Sequence, residues 1–408
     1  MGISKNLKII NDPIYGFISV PNDLIYKIIE HPSFQRLRRI SQMGLSYLVY
    51  PGAQHTRFHH ALGAMHLMQR AVMVLRSKGT EISQEEETAL YIAILLHDIG
   101  HGPFSHALEG VIVTECSHED LSIHIMEYLN ETFEGRLSLA IDIFNNRYHK
   151  KFLHQLISGQ LDMDRLDFLR RDSFYTGVAE GSISALRLIT MLQVVDDKVV
   201  VEEKGIYSVE KFLVARRLMY WQVYLHKTSL AAEQLLMKIM LRARDLISKG
   251  SHLNVSQPLT YFLSRNSNDK ITTEELRLFL ELDDVDVLGA LKTWKDHEDV
   301  VLRSLSQMIL NRDLLKIKIR PEPFVPQKIE EISTKVQRKY NLSAEEASYF
   351  VFTGSVSNLA YHGSKDTIEL LKKNGKLIEV SEASDQLNIQ ALSQKVVKYF
   401  LCCPKSAH

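Results

Sequence analysis

The chain has 408 residues, 45% of them hydrophobic and 24% charged, a composition typical of a globular protein with one large or two moderate domains. Basic and acidic residues both number 49, so global charge gives no argument for binding to nucleic acid or to a membrane surface. Three cysteines do not make a disulfide framework, and no apolar run approaches the ~18 residues of a membrane-spanning helix. Without a signal-peptide pattern, these features predict a cytoplasmic protein.

The first part of the chain predicts a hairpin followed by helices. Residues 7–20 contain two β-rich runs around Asn11-Asp12-Pro13, which indicates a short β-hairpin. Residues 118–132 and 138–145 continue a helical pattern. Apolar residues at helical spacing predict the faces of three earlier helices, namely Leu24, Ile25, Ile28 and Ile29, then Phe34, Leu37, Ile40 and Met43, then Leu62, Met65, Met68, Ala71 and Val72.

The later part of the chain predicts a change of composition near Gly250. Before it we expect a helix break at Ser158-Gly159, a strand pair within 187–203 and one long helix from Val209 past Ala243. After it, capping-box and strand patterns alternate, at Thr272–Glu275, Ser343–Glu346, 315–319, 349–352 and 377–380. We therefore predict a mainly α protein with a helical core over 1–250 and a smaller α+β region over 251–408.

The most informative stretch runs from Thr88 to His106. Eight apolar residues from Ala89 onward predict a buried helix, and His97-Asp98 follows them directly. Burying an imidazole and a carboxylate costs roughly several kcal/mol unless something compensates. A divalent metal is the simplest compensator, because it takes neutral imidazole and carboxylate together. A helix cap or a simple His-Asp pair is the alternative for these two residues alone.

Two further residues, His60 and Asp164, favour the metal interpretation. Each lies on a predicted helix or at its end, 97 − 60 = 37 residues before His97 and 164 − 98 = 66 residues after Asp98. All four residues can therefore converge inside a helical bundle. Two imidazoles and two carboxylates suit one divalent ion of Mn, Fe, Ni, Zn, Co or Mg. A structural hydrogen-bonded cluster remains the alternative.

Several longer motifs occur in order along the chain. YPGAQHTRFHH ends at His60, HDIGHGPFSH runs from His97 to His106, and shorter motifs are His118-Glu119, Asp164-Arg165-Leu166-Asp167, Arg216 and Tyr224-Leu225-His226-Lys227. Over roughly residues 8–235 the sequence resembles the HD-domain phosphohydrolases, and within them the deoxynucleoside triphosphate triphosphohydrolases of the SAM-and-HD-domain type. No SAM module is expected, because the catalytic motifs start almost at the N-terminus.

The resemblance implies an HD-domain helical core, hydrolysis of a dNTP to deoxynucleoside and triphosphate, and assembly as a homo-oligomer. It implies metal ligation by His60, His97, Asp98 and Asp164. It assigns catalysis to His101, His106, Glu109 and His118, with Glu109 behind His106 and His118 as proton donor. The residues implied in substrate binding are Arg57, Arg165, Arg216 and Lys227 for the triphosphate and Gln42, Asp172 and Tyr224 for the sugar.

The sequence departs from the family pattern at two of these positions. Arg165 stands where the family has lysine, which keeps the charge but changes the geometry. Phe168 stands where the family has tyrosine, so one contact to a sugar hydroxyl is missing. Two other functions remain open: an HD phosphohydrolase acting on another nucleotide or phosphate ester, and a regulatory protein that only binds nucleotide. Several basic residues converging beyond the metal would favour the dNTP hydrolase.

Overall fold

A computed structural model of the chain describes residues 8–113, 116–265, 271–361, 367–385 and 392–407, without the side chain of His106. Helices dominate the architecture. In chain order they are α1 (Asp23–Glu30), α2 (Pro32–Gln35), α3 (Arg57–Ser77), α4 (Gln84–Leu96), α5 (Ser105–Leu108), α6 (His118–Thr132), α7 (Ser138–Phe144), α8 (Lys151–Ile157), α9 (Met163–Thr176), α10 (Ala185–Met191), α11 (Ile206–Met219), α12 (Lys227–Ser248), α13 (Gln257–Ser264), α14 (Thr273–Glu281), α15 (Asp284–Trp294), α16 (Val300–Leu310), α17 (Pro326–Tyr340), α18 (Ala344–Ala347) and α19 (Val380–Ala383).

Three small sheets accompany the helices. The strands are β1 (Lys8–Asp12), β2 (Gly16–Val20), β3 (Leu192–Val195), β4 (Lys198–Glu202), β5 (Lys316–Arg320), β6 (Phe352–Asn358), β7 (Glu369–Leu371), β8 (Leu377–Glu379) and β9 (Val396–Cys403). Strands β1 and β2 form an antiparallel hairpin, and β5, β9 and β6 form an antiparallel sheet in that order. The remaining sheet has the order β3-β4-β7-β8, and β4 pairs in parallel with β7.

Local signals in the sequence specify many of these elements correctly. The N-terminal hairpin, the break between α8 and α9 and the strand pair β3-β4 are confirmed, although residues 185–191 form a helix before that pair. Helix α4 begins with the expected capping box: the Glu86 amide donates to Ser83 Oγ at 3.1 Å, and the Ser83 amide donates to Glu86 Oε2 at 2.8 Å. Because these bonds satisfy amides that the first helical turn leaves unpaired, they fix where α4 begins.

Two predicted helices are wrong. The single helix expected from Val209 past Ala243 is interrupted by a π-turn at Tyr220–Tyr224. His226 then leaves the helical conformation, with φ −59° and ψ 130°, and its Nδ1 accepts from the Thr228 amide at 3.2 Å, so α12 begins as a new helix. The residues from Phe34 to Met43 do not share one helical face, because α2 passes into a 3₁₀ turn at Arg36–Arg39 and Ile40 is extended.

The region beyond residue 250 mixes helices and sheets, as predicted, and it packs directly on the earlier helices. Buried Arg36 donates to the carbonyl oxygens of Leu282 at 2.7 Å and His101 at 3.0 Å. Asp284 accepts from the amides of Ser41 at 2.8 Å and Phe104 at 2.9 Å. The hydrophobic core is continuous across residue 250, and the boundary placed there stays a prediction.

No helix among the described residues has the length and apolar character needed to cross a membrane.

Candidate metal and substrate site

The four predicted metal ligands come together where three helices meet. Helix α3 packs against both α4 and α9, and it carries His60, while His97 and Asp98 follow the end of α4 and Asp164 lies in the first turn of α9. Asp164 Oδ1 lies 3.1 Å from His60 Nε2 and 3.4 Å from His97 Nε2, and the two Nε2 atoms are 3.4 Å apart. Ligand atoms about 2.1 Å from one ion lie roughly 3.0–3.4 Å from each other, so these three donors fit a single divalent ion.

Asp98 is the fourth side chain of this cluster. Its Oδ1 lies 3.4 Å from His97 Nε2, and its Oδ2 lies 3.8 Å from His60 Nε2. Burial opposes ionisation of Asp98, but His97, His101 and Arg57 outweigh it and hold the pKa of this carboxyl well below its usual range. An anionic Asp98 at the edge of the three-donor group can complete the set with a small change of rotamer.

Both imidazoles are held with Nε2 towards the centre of the cluster. His60 Nδ1 lies 2.8 Å from Asp167 Oδ2, and His97 Nδ1 lies 2.6 Å from the carbonyl oxygen of Ile94. Each Nδ1 therefore donates outward, which leaves the Nε2 lone pair for a metal. A carboxylate or carbonyl behind a metal-bound histidine is the usual arrangement, and it makes the imidazole a stronger ligand.

A buried ion network supports Asp167 from behind. Arg171 donates to both carboxylate oxygens of Asp167, at 2.8 and 3.0 Å, and to Asp12 Oδ2 at 2.8 Å. Asp167 and Arg171 are fully buried, and the positive charge of Arg171 helps to lower the pKa of Asp167 to about 2 against the effect of burial. Gly63 of α3 faces this ion pair so closely that a Cβ atom there would overlap both side chains.

The electrostatics of the cluster favour a bound cation. Burial opposes protonation of His60, yet Asp164 and Asp167 outweigh it and raise its pKa to about 10. Contacts with His60 and His97 lower the pKa of Asp164 although burial acts to raise it. The site thus concentrates negative charge around two imidazoles, and a divalent ion can replace the protons that this charge otherwise favours on them.

Three of the predicted catalytic residues, His101, His118 and Glu109, form a connected group next to Asp98. The rings of His101 and His118 stack with centroids 4.0 Å apart, and His101 Nε2 lies 3.4 Å from Asp98 Oδ1. Burial and the charge of Arg57 lower the pKa of His101 well below its ordinary value. Glu109 Oε1 lies 2.7 Å from His118 Nδ1.

The expected contact between His106 and Glu109 lies outside the described side chains. It was based on a helix running through both residues, but α5 ends at Leu108 and Glu109 is extended. Among the described side chains, the Glu109 carboxylate contacts His118, so His118 is a second histidine that Glu109 could orient.

The predicted basic residues occupy different places. Arg57 Nη1 donates to Asp98 at 2.5 Å and Nη2 to Ser105 Oγ at 2.8 Å. Arg165 pairs with Asp162, and Arg216 donates to Gln160 at 3.2 Å, while the charge of Arg165 adds to burial in lowering the pKa of Arg216. Lys227 is exposed and borders a separate cavity between β5 and α17. The structure does not bring Lys227 to the metal cluster.

A cavity of about 500 Å³ opens beside the metal cluster, within the size range of small-molecule sites. It is lined by predicted residues from every group: the metal ligands Asp98 and Asp164, the histidines His101 and His118, Arg57, and Gln42, Asp172 and Tyr224. Buried Gln42 Oε1 and Arg57 Nε have no hydrogen-bond partner among the described residues. Unsatisfied buried polar atoms of this kind indicate that a ligand or water completes them.

The wall implied in sugar binding is already ordered by hydrogen bonds. Asp172 Oδ1 lies 2.7 Å from His55 Nε2, and its Oδ2 accepts from the Tyr224 hydroxyl at 2.7 Å. His55 is buried and stacks on Tyr175 with ring centroids 4.3 Å apart. The Phe168 and Tyr224 rings meet edge to face at 6.1 Å, so the tyrosine ring is fixed on two sides.

Sequence reasoning gave no role to Asp167, Arg171 or His55. Asp167 lies three residues after Asp164, and Arg171 lies four after Asp167, so a helical spacing signal was available for both. His55 lies in the YPGAQHTRFHH motif, where its position gave no indication of a contact with Asp172.

Comparison with known families agrees with this geometry. The model of the HD domain matches residues 57–167, and the model of the HD associated region matches residues 183–254. The uncharacterized protein YwfO of Bacillus subtilis is 32% identical over 92% of this chain and 88% of its own length. The chain belongs to the HD-domain phosphohydrolase superfamily.

Two further relatives extend the comparison of this HD phosphohydrolase. A solved phosphohydrolase from Bacteroides thetaiotaomicron is 52% identical, with a TM-score of 0.94 over 98% of this chain and 100% of that one. The human deoxynucleoside triphosphate triphosphohydrolase SAMHD1 is 30% identical over 59% of this chain and 45% of its own length. The chain therefore spans about half of that enzyme. The family and the His/Asp cluster together make this a metal-dependent phosphohydrolase.

Proposed function

We propose that this protein hydrolyses deoxynucleoside triphosphates to deoxynucleoside and triphosphate with one divalent metal ion. The observation that carries the proposal is the cavity that joins Asp98 and Asp164 to Asp172 and Tyr224. The candidate metal cluster and the preordered Tyr224 wall would then face one chamber, as a reaction at the phosphate next to a sugar requires. The name of the human relative supports the same substrate class.

Two arginines close to the candidate ligand Asp164 support a polyphosphate substrate. The pKa of Arg216 is lowered by burial and by the neighbouring charge of Arg165, and the charge of Asp164 acts on both arginines. Two like charges held close together favour an anion between them. Arg216 Nε is buried without a partner among the described residues, so it is available to such an anion.

Each step of the proposed reaction is assigned to a different group. When bound, the ion would polarise a phosphate oxygen and lower the pKa of water. As water adds to the α-phosphorus, the bond from phosphorus to the 5′-oxygen breaks, triphosphate leaves, and the 5′-oxygen takes a proton. His118, held by Glu109, is the proposed donor of that proton. By resemblance, His106 assists the attacking water by accepting its proton.

One observation favours the second candidate, hydrolysis of another nucleotide or phosphate ester. Of the four basic residues assigned to the triphosphate, only Arg57 lines the cavity, and it already pairs with Asp98. A smaller phosphate group would need only that contact. The two candidates differ in their products, so one product assay separates them.

The deciding experiment incubates the protein with each dNTP, each NTP and each dNMP, in turn with Mn, Mg, Co, Ni, Zn or Fe. Triphosphate released from dNTPs supports the proposal, and the metal giving most activity identifies a working cofactor. Release of pyrophosphate with monophosphate would contradict it, and release of phosphate from dNMPs alone would establish the second candidate. Asp164→Ala is the inactive control. Size-exclusion chromatography with light scattering tests the proposed homo-oligomer.

A further inference from the structure

One wall of the cavity is contributed by α12, which carries none of the metal ligands. Leu230, Glu233 and Gln234 line the cavity from this helix, and Val356 of β6 faces it from the C-terminal region. Glu233 lies six residues after Lys227, the first residue of α12, which is about 9 Å along the helix axis at 1.5 Å per residue. The wall therefore belongs to a different part of the chamber from the helices α3, α4 and α9.

Glu233 is an unusual residue for such a position. It is half-buried, and within the described ranges no hydrogen bond or ion pair reaches its carboxyl group. Burial raises its pKa to about 7. Burying a carboxyl group without a hydrogen-bond partner costs free energy. A ligand that donates hydrogen bonds to Glu233 would offset that cost.

Its surroundings suggest which part of a nucleotide would reach it. Phosphate is excluded by charge, because an ionised carboxylate repels it, and the metal cluster provides the place for phosphate. The aromatic rings of Phe168, Tyr220 and Tyr224 line the same cavity and suit the sugar and the face of a base. The polar edge of the nucleobase is therefore the part of the nucleotide that would face α12.

We infer that Glu233 and Gln234 form a subsite for the nucleobase and that this subsite selects guanine. An ionised carboxylate only accepts hydrogen bonds and can accept two in parallel. Guanine presents two adjacent donors on one edge, the N1 hydrogen and the 2-amino group, and no other DNA base does so. The Gln234 amide can donate to the neighbouring O6 atom. This inference rests on the proposed function, since it concerns the base of the same substrate.

The test compares kcat/KM for dGTP, dITP, dATP, dCTP and dTTP. The wild-type protein should prefer dGTP, and dITP, which lacks only the 2-amino group, should fall roughly tenfold or more below it, because a bidentate contact discriminates by about 5- to 150-fold. Glu233→Gln should lose most of that preference for dGTP over dITP. Glu127→Gln, an exposed glutamate of α6, is the matched control and should change nothing.

Equal hydrolysis of dGTP and dITP by the wild-type protein would overturn the inference, even if the variant failed to fold. So would an unchanged order of bases in a folded Glu233→Gln protein. Both results leave triphosphate release from dNTPs intact, so they differ from a failure of the proposed function, in which no dNTP yields triphosphate.

Discussion

His60 Nδ1 lies 2.8 Å from Asp167 Oδ2, and this contact decides which nitrogen the imidazole presents to Asp164. The ring can rotate and exchange tautomers in isolation, so a ligand residue alone does not define a metal site. Asp167 fixes both properties, and Arg171 fixes Asp167 in turn. The strength of metal binding should therefore depend on a residue that never touches the metal.

Asp167→Asn should weaken metal binding by about 10- to 100-fold, as loss of such an outer carboxylate commonly does. The amide still fills the site but cannot carry the charge that makes His60 a strong ligand. Titration of the metal-free protein with Mn or Co, followed by calorimetry, measures the change. Asp142→Asn removes a carboxylate whose side chain is 49% exposed and serves as the control. Equal affinity in Asp167→Asn and wild type would show that the contact is merely structural.

Gly63→Ala should destabilise the protein by about 1–3 kcal/mol, the usual range for overpacking a core. Its Cβ atom would overlap the side chains of Asp167 and Arg171. Gly289→Ala is a matched control on α15, where nothing lies within 4 Å of the added atom. That variant should gain up to about 1 kcal/mol from helix propensity. Thermal melts of the two variants should shift in opposite directions, and a common shift would contradict the packing argument.

Tyr224→Ala should narrow the preference for dNTPs over NTPs, mainly by improving NTP hydrolysis. Phe168 and Asp172 hold the ring in place. If the sugar binds against it, as the proposed function requires, an added ribose hydroxyl would clash with the ring or lose its water. A desolvated, unpaired hydroxyl costs roughly 1–3 kcal/mol, or about 5- to 150-fold in selectivity. The measurement is kcat/KM for dATP and ATP, with Tyr207→Ala, an exposed tyrosine, as the control.

His55→Ala should also narrow the preference for dATP over ATP, measured as the ratio of the two kcat/KM values, but by less than Tyr224→Ala does. The substitution leaves Asp172 Oδ1 without its 2.7 Å partner and frees the carboxylate to turn away from Tyr224. His55→Gln restores a donor near that oxygen and should recover part of the preference. If His55→Ala lowers dATP and ATP hydrolysis by one common factor, His55 only maintains the fold.

The capping contact of Glu86 should make stability depend on pH. Burial acts to raise the pKa of Glu86, but Lys150, the Ser83 amide and the Tyr148 hydroxyl outweigh it and lower the pKa below 4.5. A depressed folded-state pKa adds stability above the unfolded-state value, and that stability is lost as pH falls through the folded-state value. The difference in melting temperature between wild type and Glu86→Gln should be largest at neutral pH and shrink below about pH 4.5. A constant difference from pH 7 to pH 3 would contradict the assignment.

Elements whose signals are local could be predicted from the sequence. The capping box at Ser83 and Glu86, the N-terminal hairpin and the break at Ser158-Gly159 all depend on residues within a few positions of each other. The HD motif and its candidate metal ligands could also be predicted, because each of these residues lies at a helix end that the pattern marks. The family assignment depended on those motifs and was confirmed by the comparisons.

The groups that surround those candidate ligands come from distant parts of the chain and could not be predicted from local patterns. Asp284 binds the Phe104 amide across 180 residues, and His55 reaches Asp172 across 117. The turn at Tyr220–Tyr224 interrupts a sequence with good helical spacing, and Lys227 points to a different cavity from the one its motif implied. Such contacts depend on how helices distant in sequence pack together, and packing overrides local propensity because many buried contacts outweigh the small free-energy differences between backbone conformations.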